Sequence, residues 1–317
     1  MTAKKYADVM QMFLQRGKSS KNFSSVVNTC RVLKAEEGKI SVEFEVDARM
    51  ANHFGTLHGG CSASMIDEIT TGALVATPRG LPGVSVDLHM TYLSGANVGD
   101  TIQLDAEVIR QGKSMAFTKA SLYRKNDMTL LATGLHTKAF PSNTTIRKDV
   151  IEQANVKSTQ VVSPVEPSSS VNPEFYKTML RFAKMDKAES TFSGRAWNAH
   201  LTHVDEHRVS AEFVVRQNQI QHFGTLHGGC SATMIDYFTC CGLIVATGRP
   251  AVSINLNMSY MKPAPLGTLV RIDAQVVKVG KSLAYTKADL FRVEDGVAIA
   301  SAKHILAFNK RVVVRDE

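Results

Sequence analysis

HFGTLHGGCSASMID, His53 to Asp67, returns later in the same chain as HFGTLHGGCSATMID, His222 to Asp236, with Ser64 against Thr233 the single difference. The likeness spreads outward from there. VSVDLHMTYL from Val84 is answered by VSINLNMSYM from Val252, and GKSMAFTKASLYR from Gly112 by GKSLAYTKADLFR from Gly280. The same features recur in the same order, so the chain reads as an internal duplication. Its 317 residues divide into two domains, 1–142 and 173–317. The segment 143–172 between them is rich in Ser, Pro and Val without a clear period, which marks a linker; a short helix is expected near 148–155.

Each half has the same grammar. A helix opens it (Tyr6–Gln15; Glu174–Lys184), followed in the first copy by two short strands, CRVLKAE and KISVEFEV. After the repeated motif comes GGCSASMIDEITTGALVAT, whose length and apolar spacing predict a largely buried helix. The next stretch alternates: Val84, Val86, Leu88, Met90 and Tyr92 on one face, Ser85, Asp87, His89 and Thr91 on the other, as a strand requires. Strands near Thr101–Ile109, Met115–Arg124 and Thr129–Phe140 complete the set. The class is α+β, one long helix against an antiparallel sheet in each half.

Chemistry concentrates in the repeated motif. Asp67 and Asp236 sit inside an apolar helix, where a carboxylate loses solvation and gains basicity unless partners hold it. That suits a general base; the structural alternative is a carboxylate tied to neighbouring backbone. Gly59-Gly60 and Gly228-Gly229 open the helix, where free N–H groups and a partial positive charge suit a developing oxyanion. Cys61 and Cys230 read as small buried residues rather than activated thiolates. His53, His58, Cys61 and Asp67 match no familiar zinc spacing, so no metal is expected. GKS at Gly112 and Gly280 lacks the earlier glycine and the following helix of a phosphate-binding loop, leaving a polar hairpin turn.

Bulk properties bound the rest. A net charge of +8 suits an anionic partner, but the basic residues are scattered, which argues against nucleic acid. Five cysteines without a CxxC spacing favour a reducing compartment, cytoplasmic or mitochondrial. No apolar run is expected to approach the roughly 20 residues of a membrane span.

Taken together, ANHFGTLHGGCSASMID, GVSVDLHMTY and QGKSMAFTKASLYR, with their second copies, resemble the hotdog-fold thioesterases of the PaaI-like group. The resemblance covers nearly all of each repeat. It implies two hotdog domains paired side by side as an intramolecular double hotdog, with sites at the seam and no cofactor beyond the CoA carried by the substrate. It further implies acyl-CoA hydrolysis in which the Gly59 N–H and Asn52 polarise the thioester carbonyl. Asp236, oriented with Ser253, acts from across the seam as general base on water or as nucleophile. The other site would use Gly228, Gln221, Asp67 and Ser85, with His58 and His227 supporting the two loops. Lys113, Lys119, Lys138, Lys281 and Lys287 are the candidates for CoA phosphate. The rivals are a hotdog hydratase or dehydratase and a non-catalytic acyl-CoA-binding protein. Single-domain members form dimers of dimers, so a homodimer with four hotdog domains is expected. Asn52 against Gln221 is a departure between the copies. The longer amide would land elsewhere, making the Gln221 site weaker or differently selective.

Overall fold

The computed structural model describes residues 3–140, 166–186, 192 and 199–308. The first half runs α1 (Ala3–Ser19), β1 (Arg31–Glu36), β2 (Lys39–Glu45), α2 (Gly59–Val75), β3 (Val84–Tyr92), β4 (Thr101–Gln111), β5 (Met115–Arg124) and β6 (Thr129–Ala139). The second repeats it with α3 (Pro173–Asp186), β7 (His200–Val204), β8 (Arg208–Val214), α4 (Gly228–Thr247), β9 (Ala251–Tyr260), β10 (Leu269–Val279), β11 (Leu283–Arg292) and β12 (Ala298–Phe308). The helix expected near 148–155 lies outside the described residues.

Among the described residues the strands form a single antiparallel sheet in the order β1-β2-β4-β5-β6-β3-β9-β12-β11-β10-β8-β7. Its middle is the seam. β3 pairs with β9 through Asp87↔Ser259, His89↔Asn257 and Thr91↔Asn255, so the two halves share one continuous ladder. The expected alternation is present: Leu88 and Met90 are buried while His89 and Thr91 are exposed.

α2 and α4 lie side by side on the inner face and are buried along most of their length. Glycine at the second helical position makes their approach possible. A Cβ on Gly60 would stand 2.7 Å from Thr233 Cα, and one on Gly229 would stand 2.8 Å from Ser64 Cα. The Ser64 and Thr233 hydroxyls face each other at 3.4 Å across this contact, so the single difference between the motif copies falls where the helices meet. α4 corrects one expectation. It has 20 residues and is apolar enough for a membrane span, yet its residues pack against α2, α3 and the sheet as a core helix does.

Candidate active site

The loop before each helix is built by its own sequence. Asn52 carbonyl accepts the Gly55 N–H at 3.0 Å, closing a turn in which Gly55 takes φ +74°, a left-handed value that glycine adopts freely. Gly224 does the same at φ +78°. His58 and His227 then cap the helices, their Nδ1 atoms accepting the Gly60 and Gly229 N–H groups at 2.9 Å. This is the loop-supporting place expected of both histidines.

The carboxylates cross the seam. Asp236, on α4, takes the Gly60 N–H of α2 on Oδ2 at 3.0 Å, and Asp67, on α2, takes the Gly229 N–H of α4 at 3.0 Å. A helix N-terminus thus holds each carboxylate through a real hydrogen bond. Ser253 donates to Asp236 Oδ1 at 2.6 Å, and Ser85 to Asp67 Oδ1 at 3.3 Å. Asp236 with Ser253 therefore lies against the Gly59-Gly60 turn, and Asp67 with Ser85 against the Gly228-Gly229 turn.

The carboxylates and serines press so closely on Gly59 and Gly228 that a side chain at either position is crowded. The place a Cβ would fill on Gly59 is 3.2 Å from Asp236 Oδ2 and 3.3 Å from Ser253 Oγ. On Gly228 the equivalent place is 2.9 Å from Asp67 Oδ2 and 3.2 Å from Ser85 Oγ. A cavity of about 640 Å³ reaches Gly59, with Asn52, His58, Ser253 and Asp236 on its wall. Asn52 uses its amide oxygen on the Phe54 and Thr56 N–H groups and donates one amide proton to Thr56 Oγ1 at 3.0 Å. An amide has two such protons, so the second can serve a ligand.

Gln221 keeps one of the bonds of Asn52. Its amide nitrogen donates to Thr225 Oγ1 at 3.0 Å, the same bond that Asn52 makes to Thr56. The Asn52 amide oxygen also accepts the Phe54 and Thr56 N–H groups, so the two amides share the threonine bond and differ in the rest of their setting. The carboxylate surroundings differ as well.

Around Asp67, Lys138 places its ammonium 3.3 Å from Oδ1 and 2.6 Å from Thr71 Oγ1, and it is only 3% exposed. This corrects Lys138 as a phosphate ligand. Burial pushes the Asp67 carboxyl up, but Lys138, then His227 and His136, outweigh it and hold the group well below the usual carboxylate range. Glu68 accepts from or shares a proton with His227 Nε2 at 2.5 Å. Burial pulls the His227 imidazole down, but the Glu68 bond and the Asp67 charge raise it on balance. His136 approaches Ser85 Oγ at 3.0 Å and Thr70 Oγ1 at 2.7 Å; burial and Lys138 depress its pKa to about 3.

Around Asp236 the equivalent positions are Leu306 for Lys138, Cys240 for Thr71 and Tyr237 for Glu68. His304 keeps the place of His136, with Nδ1 2.7 Å from Thr239 Oγ1 and Nε2 3.4 Å from Asp236 Oδ1, and burial lowers its pKa. Tyr92 and Tyr260 donate to the Gly59 and Gly228 carbonyls at 2.9 and 3.0 Å. The two tyrosines and two histidines were read from sequence only as strand residues. Their recurrence at matched places in both copies is the signal that could have singled them out.

The remaining lysines lie elsewhere. Lys113 and Lys281 are exposed in hairpin turns whose carbonyls are held by Arg79 (to Gly112 O, 2.7 Å) and Arg249 (to Lys281 O, 3.4 Å) just past the C-terminal ends of α2 and α4. Lys119 pairs with Glu107 at 2.8 Å on the exposed face, and Lys287 is exposed on β11. None is brought to the carboxylates. Cys61 and Cys230 are fully buried, and burial pushes the Cys230 thiol up, away from thiolate chemistry.

The family model described as Thioesterase superfamily matches twice, at residues 54–131 and 223–299. Human acyl-coenzyme A thioesterase 13 is 44% identical over 119 residues, 38% of this chain and 85% of that protein. Among solved structures, a protein of unknown function with a hot dog fold from Alicyclobacillus acidocaldarius aligns over 91% of this chain and 99% of its own, with TM-score 0.58 at 13% identity. The tesB protein of Mycobacterium avium subs paratuberculosis aligns over 91% and 100%, with TM-score 0.54 at 13% identity. At that identity the two structures speak to the fold.

Proposed function

The chain belongs to the thioesterase superfamily and is a thioester hydrolase, and we propose that it cleaves acyl-CoA to acid and CoA at two sites on the seam. The observation that carries this reading is the cavity of about 640 Å³ that brings Gly59 and Asn52 of one half together with Asp236 and Ser253 of the other. A thioester laid there has its carbonyl carbon within near-attack range of a water held by the carboxylate.

The steps follow from the groups present. Asp236 takes a proton from water as the oxygen adds to the carbonyl carbon. Ser253, donating at 2.6 Å, fixes the carboxylate so that one lone pair faces the water. The Gly59 N–H at the start of α2 and the second Asn52 amide proton receive the oxyanion. His58 holds the loop by accepting the Gly60 N–H. The tetrahedral adduct then collapses, the C–S bond breaks, and the proton on Asp236 returns to the departing thiolate. Asp67, Ser85, Gly228 and Gln221 repeat the arrangement in the second site. We also propose that two chains associate, giving four such domains.

Thiol release from a panel of acyl-CoAs tests the reading, using wild type, Asp67→Ala, Asp236→Ala and the double variant. Activity divided between the single variants and lost in the double variant is expected. Full turnover in the double variant would remove the carboxylates from the mechanism. Tight acyl-CoA binding without thiol release in wild type would make the protein a binding module.

A further inference from the structure

The repeats are nearly identical where the thioester would sit and differ just beyond it. Three matched positions change together: Glu68 against Tyr237, Thr71 against Cys240 and Lys138 against Leu306. All three changes are in polarity and in the same direction. On the Asp67 side, Glu68, Asp67, Lys138 and His227 form a buried charged network, linked at 2.5 Å between His227 and Glu68 and at 3.3 Å between Lys138 and Asp67. On the Asp236 side the carboxylate has His58 and His304 within 3.4 Å and Ser253 as donor, but Tyr237, Cys240 and Leu306 hold the places of Glu68, Thr71 and Lys138, so no lysine or second carboxylate joins it.

The cavities follow the same division. The one that opens at Gly59 continues along Tyr237, Cys240 and Ile244 to Phe182 of α3. A second, of about 450 Å³, is bounded by Phe13, Arg16, Glu68, Val75 and His222. The repeat correspondence makes these the same place in the two halves: Glu68 stands for Tyr237, Val75 for Ile244, His222 for His53 and Phe13 for Phe182. One chamber is walled by aromatic and aliphatic groups. The other also has apolar groups on its wall, Met12, Phe13 and Val75 among them, but sets the Glu68 carboxylate where the first has Tyr237 and carries the Arg16 guanidinium at its exposed end.

We propose that the two sites sort acyl groups by polarity. The Asp236 site takes apolar acyl chains, and the Asp67 site takes short acyl groups or those with a polar substituent. Tyr237 and Glu68 are the specificity-determining residues. The inference rests on the hydrolytic reading of both sites. Its physical basis is water. A methylene entering an apolar chamber gains about fourfold in binding, whereas one laid against the Glu68 carboxylate meets a charge it cannot solvate and loses that gain.

Single-site enzymes test it. Asp236→Asn leaves the Asp67 site. Asp67→Asn with Lys138→Met leaves the Asp236 site without a lone buried ammonium. Each is assayed with acetyl-, hydroxyacetyl-, butyryl- and octanoyl-CoA. The Asp236-only enzyme should gain about two- to fourfold in kcat/KM per added methylene, and the Asp67-only enzyme should stay flat or fall. Adding Tyr237→Glu to the Asp236-only enzyme should lower octanoyl-CoA turnover about tenfold or more while leaving acetyl-CoA within a few-fold. Parallel chain-length profiles in the two single-site enzymes would overturn the inference and leave hydrolysis standing. So would a Tyr237→Glu loss that is equal for acetyl and octanoyl. No thiol release by wild type from any of these substrates would bring down both readings.

Discussion

Lys138→Met probes the buried pair beside Asp67. Lys138 is 3% exposed and Asp67 is 4% exposed, so neither charge can turn to water. The ammonium is 3.3 Å from Asp67 Oδ1 and 2.6 Å from Thr71 Oγ1. Removing it leaves the carboxylate with the Gly229 N–H and the Ser85 hydroxyl as its donors of record. Breaking a buried pair on one side leaves a charge uncompensated and should cost about 3–5 kcal/mol. Asp67→Asn alone strands the ammonium and should cost a similar amount. The double variant, Asp67→Asn with Lys138→Met, strands nothing and should cost far less than the sum. The assay is urea unfolding of the four proteins, read as a double-mutant cycle. A coupling of about 2 kcal/mol or more is expected, and additivity within about 0.5 kcal/mol would refute the pair. Leu306→Met, the same position in the other half, is the control: a volume-conserving change at an uncharged site should cost less than about 1.5 kcal/mol. The cycle also has a kinetic face. In an Asp236→Asn background, losing the Lys138 cation raises the Asp67 carboxyl, so the acid limb of the remaining activity should move to higher pH.

Gly60→Ala forces a Cβ to within 2.7 Å of Thr233 Cα, which is backbone and cannot yield; it should cost about 1–3 kcal/mol in urea unfolding and lower turnover at both sites, since both depend on the helix crossing. Ser253→Ala removes the 2.6 Å donor to Asp236 and should reduce kcat about 10- to 100-fold in the enzyme whose Asp67 is silenced, with KM little changed. For pH, His136 ordinarily titrates near 6.5 but is depressed to about 3 in the fold. Between those values the unfolded chain binds a proton that the folded protein does not, so stability is present above about 6.5 and falls as the pH is lowered, at up to about 1.4 kcal/mol per unit. His136→Gln should flatten that slope in urea midpoints measured from pH 7 to 5.

The sequence was most legible where backbone geometry demands particular residues. The HFG turn needs a glycine with positive φ, and HGG needs a cap and two residues without side chains; both are visible in the letters. The alternation around Leu88 and Met90 likewise announces a strand with one buried face. Cross-seam contacts were less legible, because a carboxylate's partner 176 residues away leaves no local trace. The family resemblance supplied that pairing. Lys138 was misread for a related reason. A lysine in a strand is ordinarily solvated, and only the alternation His136-in, Thr137, Lys138-in, checked against the buried helix above it, reveals where its ammonium points.

A fused pair of domains explains why such asymmetry can exist at all. In a symmetric dimer any substitution beside one carboxylate appears beside both, so Lys138 and Leu306 could not coexist, nor Glu68 with Tyr237. Joining the copies keeps them at high effective concentration and frees each to vary. The variation is not spread evenly. Gly60 and Gly229 pack on Thr233 and Ser64 of the opposite helix, and there the halves are nearly the same. Where a helix faces its own strand and cavity, as Glu68 and Thr71 do on one side and Tyr237 and Cys240 on the other, the halves part. The seam constrains both copies to one solution because each is the other's wall. The acyl side takes most of its wall from one half, with His53 or His222 from the other, and is less tightly bound to a shared solution; that is where a duplicated hydrolase is free to acquire a second selectivity.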